Sequence, residues 1–291
     1  MTTVVPAFPA VPPGRAVSPP VATIFLPREH GSWFLVLEPL ALGFLIAPSW
    51  AGGALAAATL AGFFARRPLK PSFSPVFSVR RQVARETLVM WSALAVAGLF
   101  EAVVLGGALA LWPLVPAALL GGWFLSLEMQ GENRAAEAEV AGSAACAFVP
   151  AACATLAGAS LTTALVLAAL ALARSVPAVL VVRASLRGRR EGHTARLVPG
   201  LASLLACGAL AALAWHHLVP PLAFVLGALL LLRAAWLLSS LCPAWPARRI
   251  GQAEGVWGIL YVLLIVTNWP SPSEPERLHL IYIKASGRAP M

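Results

Sequence analysis

Long apolar runs alternate with short polar segments through most of the chain, and each can be judged against the roughly 18 to 22 helical residues needed to cross ~30 Å of hydrocarbon. Nine runs qualify, at residues 33–49, 51–65, 87–106, 107–126, 140–158, 160–182, 198–215, 219–240 and 255–269, the second and ninth being short. The pattern predicts an all-α fold, a polytopic transmembrane helical bundle of about nine helices. The bundle is expected over residues 23–269, between a flexible Pro-rich cytoplasmic tail at 1–22 and a polar carboxyl-terminal tail at 270–291.

The segments between the runs set the orientation. Every second one is basic: 66–85 carries Arg66, Arg67, Lys70, Arg80, Arg81 and Arg85, 127–139 carries Arg134, 183–197 carries five arginines, and 241–254 carries Arg248 and Arg249. The alternate loops near 50, 106, 159 and 217 carry no basic residue. Positive charge accumulates on the cytoplasmic side of membrane proteins, so the amino terminus and the four basic segments are expected inside and the carboxyl terminus outside. The expected location is the bacterial cytoplasmic (inner) membrane.

Composition agrees and adds two facts. The chain is 59% hydrophobic and 11% charged, with mean hydropathy +0.80, too apolar for an ordinary soluble domain. All twelve carboxylates are Glu, so chemistry that needs aspartate clusters is excluded. The arginine-rich net charge of +9 would suggest nucleic acid in a soluble protein; in a membrane protein it is the ordinary inside bias, and no nucleic-acid partner is expected. Cys146, Cys153, Cys207 and Cys242 lack CxxC spacing and read as small buried hydrophobes, neither bridged nor metal-bound. His216 and His217 are adjacent on an outer loop, a poor arrangement for axial haem ligation, and no cofactor is inferred.

Charges inside apolar runs are the stronger signal, because each costs a few kcal/mol at the bilayer centre unless it faces the interior with a partner. Glu38, Arg174 and Arg233 fall at similar depth, some 12 to 15 Å below the cytoplasmic surface, and form a candidate interior cluster. Glu101 lies nearer the outer leaflet, where it can snorkel outward. A second ring gathers toward the cytoplasmic mouth: Arg28, Glu29 and His30 before the first run, Arg66 and Arg67 after the second, Glu86, Glu128, Asn133, Glu137 and Glu139, Arg183 after the sixth, and Glu254 opening the ninth. Glu86, Glu139 and Glu254 stand at expected helix amino termini, where the macrodipole alone accounts for a carboxylate. His30 has Glu29 beside it to set its tautomer and Gly31 to allow close backbone approach.

Several of these motifs carry a resemblance. Pro27-Arg28-Glu29-His30-Gly31-Ser32-Trp33, then Leu37-Glu38-Pro39-Leu40 and Leu42-Gly43, Arg66-Arg67-Pro68-Leu69, the 137–142 stretch, and Arg248-Arg249-Ile250-Gly251 with Glu254 together resemble the YwiC-like membrane proteins of bacteria, over roughly residues 25–268. The layout of about nine helices is in turn similar to the UbiA superfamily of intramembrane prenyltransferases. There, aspartate-rich motifs after helices two and six hold Mg²⁺ on a prenyl diphosphate. This chain departs from that pattern: Arg66-Arg67-Pro68-Leu69-Lys70 and Arg183 to Arg187 stand where the aspartates would be, and arginine-rich segments repel Mg²⁺.

Guanidinium binds phosphate in bidentate fashion without a metal. The leading expectation is therefore metal-independent binding of an anionic lipid or isoprenoid phosphate in a cytoplasm-facing polar cavity. Arg28, Arg66, Arg67, Glu137, Arg174, Arg183 and Arg233 are the candidate ligand-binding residues. An enzymatic version would use His30 as acid or base, oriented by Glu29 or Glu38. The alternatives are a small-anion or proton-coupled transporter gated by Glu38, Arg174 and Arg233, and a non-catalytic membrane assembly factor docking through its Pro-rich tail. The expected partners are membrane lipids.

Overall fold

The computed structural model describes residues 30–75, 78–131, 135–191, 195–243 and 245–270, giving the backbone alone at 30–32 and 189–191. Both tails, Arg28, Glu29, Asn133 and the side chain of His30 lie outside the described residues.

Among those residues ten α-helices follow one another: α1 His30–Ile46, α2 Trp50–Ser72, α3 Val79–Gly106, α4 Leu114–Gln130, α5 Ala136–Ala147, α6 Val149–Leu156, α7 Leu161–Glu191, α8 Leu197–Trp215, α9 Leu222–Leu238 and α10 Ala247–Thr267. A short 3-10 helix at Ala108–Leu111 precedes α4. Because α5 and α6 run on as a single 21-residue apolar stretch, Ala136–Leu156, the described helices make nine membrane-scale segments. The break at Phe148 falls beside Pro150, whose missing N–H leaves the carbonyl four residues earlier without its helical donor.

Five of these segments are long and apolar enough to cross a bilayer: α3, α5 with α6, the 161–188 part of α7, α8 and α10. Three shorter apolar helices, Trp33–Ile46 of α1, α4 and α9, complete an integral membrane bundle. The second expected crossing, α2, is in neither group, because its apolar stretch ends at Arg66.

Most of the described basic residues in the basic segments stand on helices. α2 continues through Arg66, Arg67 and Lys70 to Ser72, α3 begins at Val79 and carries Arg80, Arg81 and Arg85, α7 runs on through Arg183 and Arg187, and α10 begins at Ala247. Hydropathy marks where a helix leaves hydrocarbon. It does not mark where the helix stops, and arginine is a good helix former. Ser78 caps α3, its hydroxyl accepting the Arg81 N–H at 3.3 Å, and Ser49 caps α2 by accepting the Gly52 N–H at 3.0 Å.

α1 is the hub. It packs on α10, α6, α2, α5 and α7, so the last helix returns against the first. The main core joins α1, α5 to α10 and holds Leu42, Leu167, Leu170, Leu210, Tyr261 and Ile265. A second core of Val36, Leu40, Leu55, Cys153 and Leu156 joins α1, α2, α3 and α6. On the outside α3 and α8 expose rows of Leu, Val and Phe, the surface expected of helices facing lipid.

Candidate functional site: a buried charge cluster beside an apolar groove

Four helices each send one ionisable side chain to a common point. Glu38 leaves the middle of α1, Arg174 the middle of α7, Arg233 the last third of α9 and Glu254 the eighth position of α10. Measured at 1.5 Å per residue from His30, Arg183, Leu238 and Ala247, they lie about 8 to 14 Å along their helices. Their side chains are 13%, 5%, 8% and 14% exposed, respectively.

The four form a chain of alternating charge. Arg174 reaches Glu38 Oε1 through Nη2 at 3.5 Å and Glu254 Oε2 through Nη1 at 3.4 Å. Its Nη2 also donates to the Glu254 backbone carbonyl at 2.9 Å, and Arg233 pairs with Glu254 through Oε1. Two carboxylates and two guanidiniums give no net charge, which is how such groups are tolerated inside a membrane. A cavity of about 20 Å³ bounded by Arg174, Ser203 and Arg233 has the volume of a single water.

The cluster has a built seat. A Cβ placed on Gly258 would land on the carboxyl group of Glu38, and one on Gly255 would land in the ring of Phe34. The side chains at positions 34 and 38 of α1 thus fill the notches left by two glycines three residues apart on α10. One turn deeper, the hydroxyl of buried Tyr261 donates to the Leu170 carbonyl at 3.1 Å, tying α10 to α7.

Nearer the surface the expected ring separates into pairs. Arg66 pairs with Glu128 at 3.3 Å and lies over the ring of Phe124, 5.0 Å from its centroid, joining α2 to α4. Arg183 pairs with Glu139 at 3.0 Å, joining α7 to α5. Glu137 is exposed on the first turn of α5, and Glu101 is exposed on α3. Trp33, Phe63, Phe64 and Trp91 form an aromatic run beside Arg66, edge to face at Trp33 and tilted beyond it, with ring centroids 4.8 to 6.0 Å apart.

Of the candidates, Glu38 and Arg174 meet directly, and Arg233 joins them through Glu254. Arg66 and Arg183 belong to separate pairs, and Glu38 spends its carboxylate on Arg174. Glu254 is the residue that sequence reasoning left out of the cluster. Expected to open its helix as a capping carboxylate, it sits a full two turns inside α10, because that helix starts right after Pro246. Proline just before the first turn is itself a start signal, and it was there to be used.

Arg233 and Glu254 also close one side of a groove of about 360 Å³ between α9 and α10, walled by leucines, Ile250 and three indoles, Trp236, Trp245 and Trp257. Its volume lies in the range of small-molecule sites, about 300–1,000 Å³.

Residues 26–154 match the family described as YwiC-like protein. Over this stretch, a little under half of the chain, the sequence is similar to that family. The matched part runs from just before Pro27 through α1 nearly to the end of α6. It supplies Glu38 to the buried cluster, together with the Arg66–Glu128 pair and Glu139, while Arg174, Arg183, Arg233 and Glu254 stand beyond it. No curated protein and no solved structure matches the chain.

The Mg²⁺ that a UbiA-like arrangement implies does not fit the residues present. At the two positions where aspartates would be needed stand Arg66 and Arg183, each holding a glutamate of a neighbouring helix. Mg²⁺ needs several carboxylate, phosphate or water oxygens in octahedral array, and guanidiniums repel it.

Proposed function

We propose that this integral membrane protein lies in the bacterial cytoplasmic membrane with its amino terminus inside and binds an anionic lipid or isoprenoid phosphate without a metal ion. On this reading the bundle is UbiA-like in layout, with guanidinium in the place of aspartate and Mg²⁺. The observation that carries the proposal is the placement of arginine. The inner ends of α2, α3, α7, α8 and α10 all bear it, and Arg174 and Arg233 continue the series into the membrane beside an apolar groove. Arg66 and Arg183 are 25% and 20% exposed, so a phosphate arriving there would compete with Glu128 and Glu139 for the guanidinium. Mass spectrometry of gently extracted protein tests this. Changing Arg66 and Arg67 together to Gln should abolish the co-purifying phospholipid or isoprenoid phosphate, and unchanged lipid content would end the idea.

A second reading, a proton-coupled or small-anion transporter, is favoured by the same buried cluster, since ionisable groups on four facing helices are the usual material of an ion path. Uptake into proteoliposomes that disappears with Glu38→Gln would select it.

A further inference from the structure

We propose that the groove between α9 and α10 holds one acyl chain of an anionic phospholipid of the bilayer, with its phosphate at the membrane surface beside Arg248 and Arg249. This rests on the reading of the protein as a binder of anionic lipid, and it adds the place, the chain and the orientation.

Three observations select this occupant. The first is shape. The groove's walls run from Leu229 to Leu237 on α9, eight residues or about 12 Å, so its ~360 Å³ corresponds to a mean cross-section of about 30 Å². A helix with side chains, about 10–12 Å across, is far too wide for that space, whereas a single extended hydrocarbon chain fits. The second is lining: apart from Arg233 and Glu254 the walls are apolar, and those two neutralise each other within the cluster, leaving no free charge to hold a phosphate at depth. The head must therefore remain at the surface. The third is charge at the mouth. Arg248 and Arg249 are exposed on the first turn of α10, between the groove-lining Trp245 and Ile250. Trp236 packs edge to face on Trp245, ring centroids 5.2 Å apart, giving the rim the indole pair typical of the membrane interface.

The experiment uses the full chain in mild detergent, titrated with phosphatidylglycerol or phosphatidylcholine and read by native mass spectrometry. Ala253 lies on the α10 wall of the groove, and Val256 faces outward on the same helix. Ala253→Phe should lower phosphatidylglycerol adducts about tenfold, with Val256→Phe leaving them unchanged. The double variant Arg248→Gln/Arg249→Gln should erase the preference for phosphatidylglycerol over phosphatidylcholine. Should Ala253→Phe not fold, quenching of the unaltered protein by phosphatidylglycerol with brominated chains supplies the second measurement, since Trp257→Phe should remove a large part of the quenching. Retained adducts with Ala253→Phe, or quenching indifferent to Trp257, overturn the groove assignment. If the Arg66/Arg67 variant still loses lipid in that case, the broader reading survives. Equal binding of both lipids by every variant defeats both. A preference of the groove for an isoprenyl phosphate over phosphatidylglycerol refutes the occupant named here.

Discussion

Gly258→Ala puts the smallest possible probe into the buried cluster. The added methyl would occupy the space now filled by the Glu38 carboxyl group, so either α1 and α10 separate or Glu38 swings away from Arg174. The contact to be lost is already 3.5 Å long and has little slack. Overpacking of this kind costs about 1–3 kcal/mol, and loss of a polar contact between membrane helices adds about 0.6 kcal/mol. The alanine's better helix propensity returns at most about 1 kcal/mol. The net expectation is about 0.6–2.6 kcal/mol of destabilisation, which at roughly 2–4 °C per kcal/mol lowers the apparent Tm by some 1–10 °C. Thermal scanning in detergent reads it. The control is Gly62→Ala on α2, where an added Cβ meets nothing within 4 Å and stability should hold or rise slightly. Removing the obstructing group, Glu38→Ala in the Gly258→Ala background, should recover part of the loss. If Gly258→Ala proves as mild as Gly62→Ala, Glu38 does not sit against α10 and the cluster is wrongly assembled.

Two further changes probe the ties around the cluster. Tyr261→Phe leaves the Leu170 carbonyl without its side-chain donor and should cost about 1 kcal/mol, read as a Tm drop of a few degrees with the packing of the ring preserved. Arg66→Gln should cost up to about 1 kcal/mol through the lost Glu128 pair and ring contact, and the double variant with Glu128→Gln should cost less than the sum of the two single changes; an additive double variant would mean that the two residues act separately.

The bundle was legible because hydropathy needs only composition and length: the segments around α3, α7, α8 and α10 announce themselves by long apolar runs. The depth of Glu38, Arg174 and Arg233 was legible too, since a helix converts residue count directly into distance. Helix ends were not. Arg66 to Lys70 and Arg248-Arg249 look like loop by charge, yet each sits on a helix that has already left the hydrocarbon, and this hid Glu254 from the cluster. The pairing of Arg66 with Glu128 and of Arg183 with Glu139 depends on which helices are neighbours. That is a tertiary fact with no local signature, which is why one arginine-capped hollow was expected and two separate ion pairs were found. The notches at Gly255 and Gly258 were equally invisible, because small residues in membrane helices are common and only their partner gives them meaning.

A double-mutant cycle between Glu38 and Arg174 tests the central claim most directly. Glu38→Gln, Arg174→Gln and the double variant are compared for unfolding free energy in one detergent. The account predicts that each single change is more damaging than its share of the double, with a coupling of about 0.6–1.7 kcal/mol, the range for polar contacts between membrane helices. Coupling no larger than about 0.3–0.5 kcal/mol, the range of independent sites, would mean that α1 and α7 do not bring these two charges together inside the membrane.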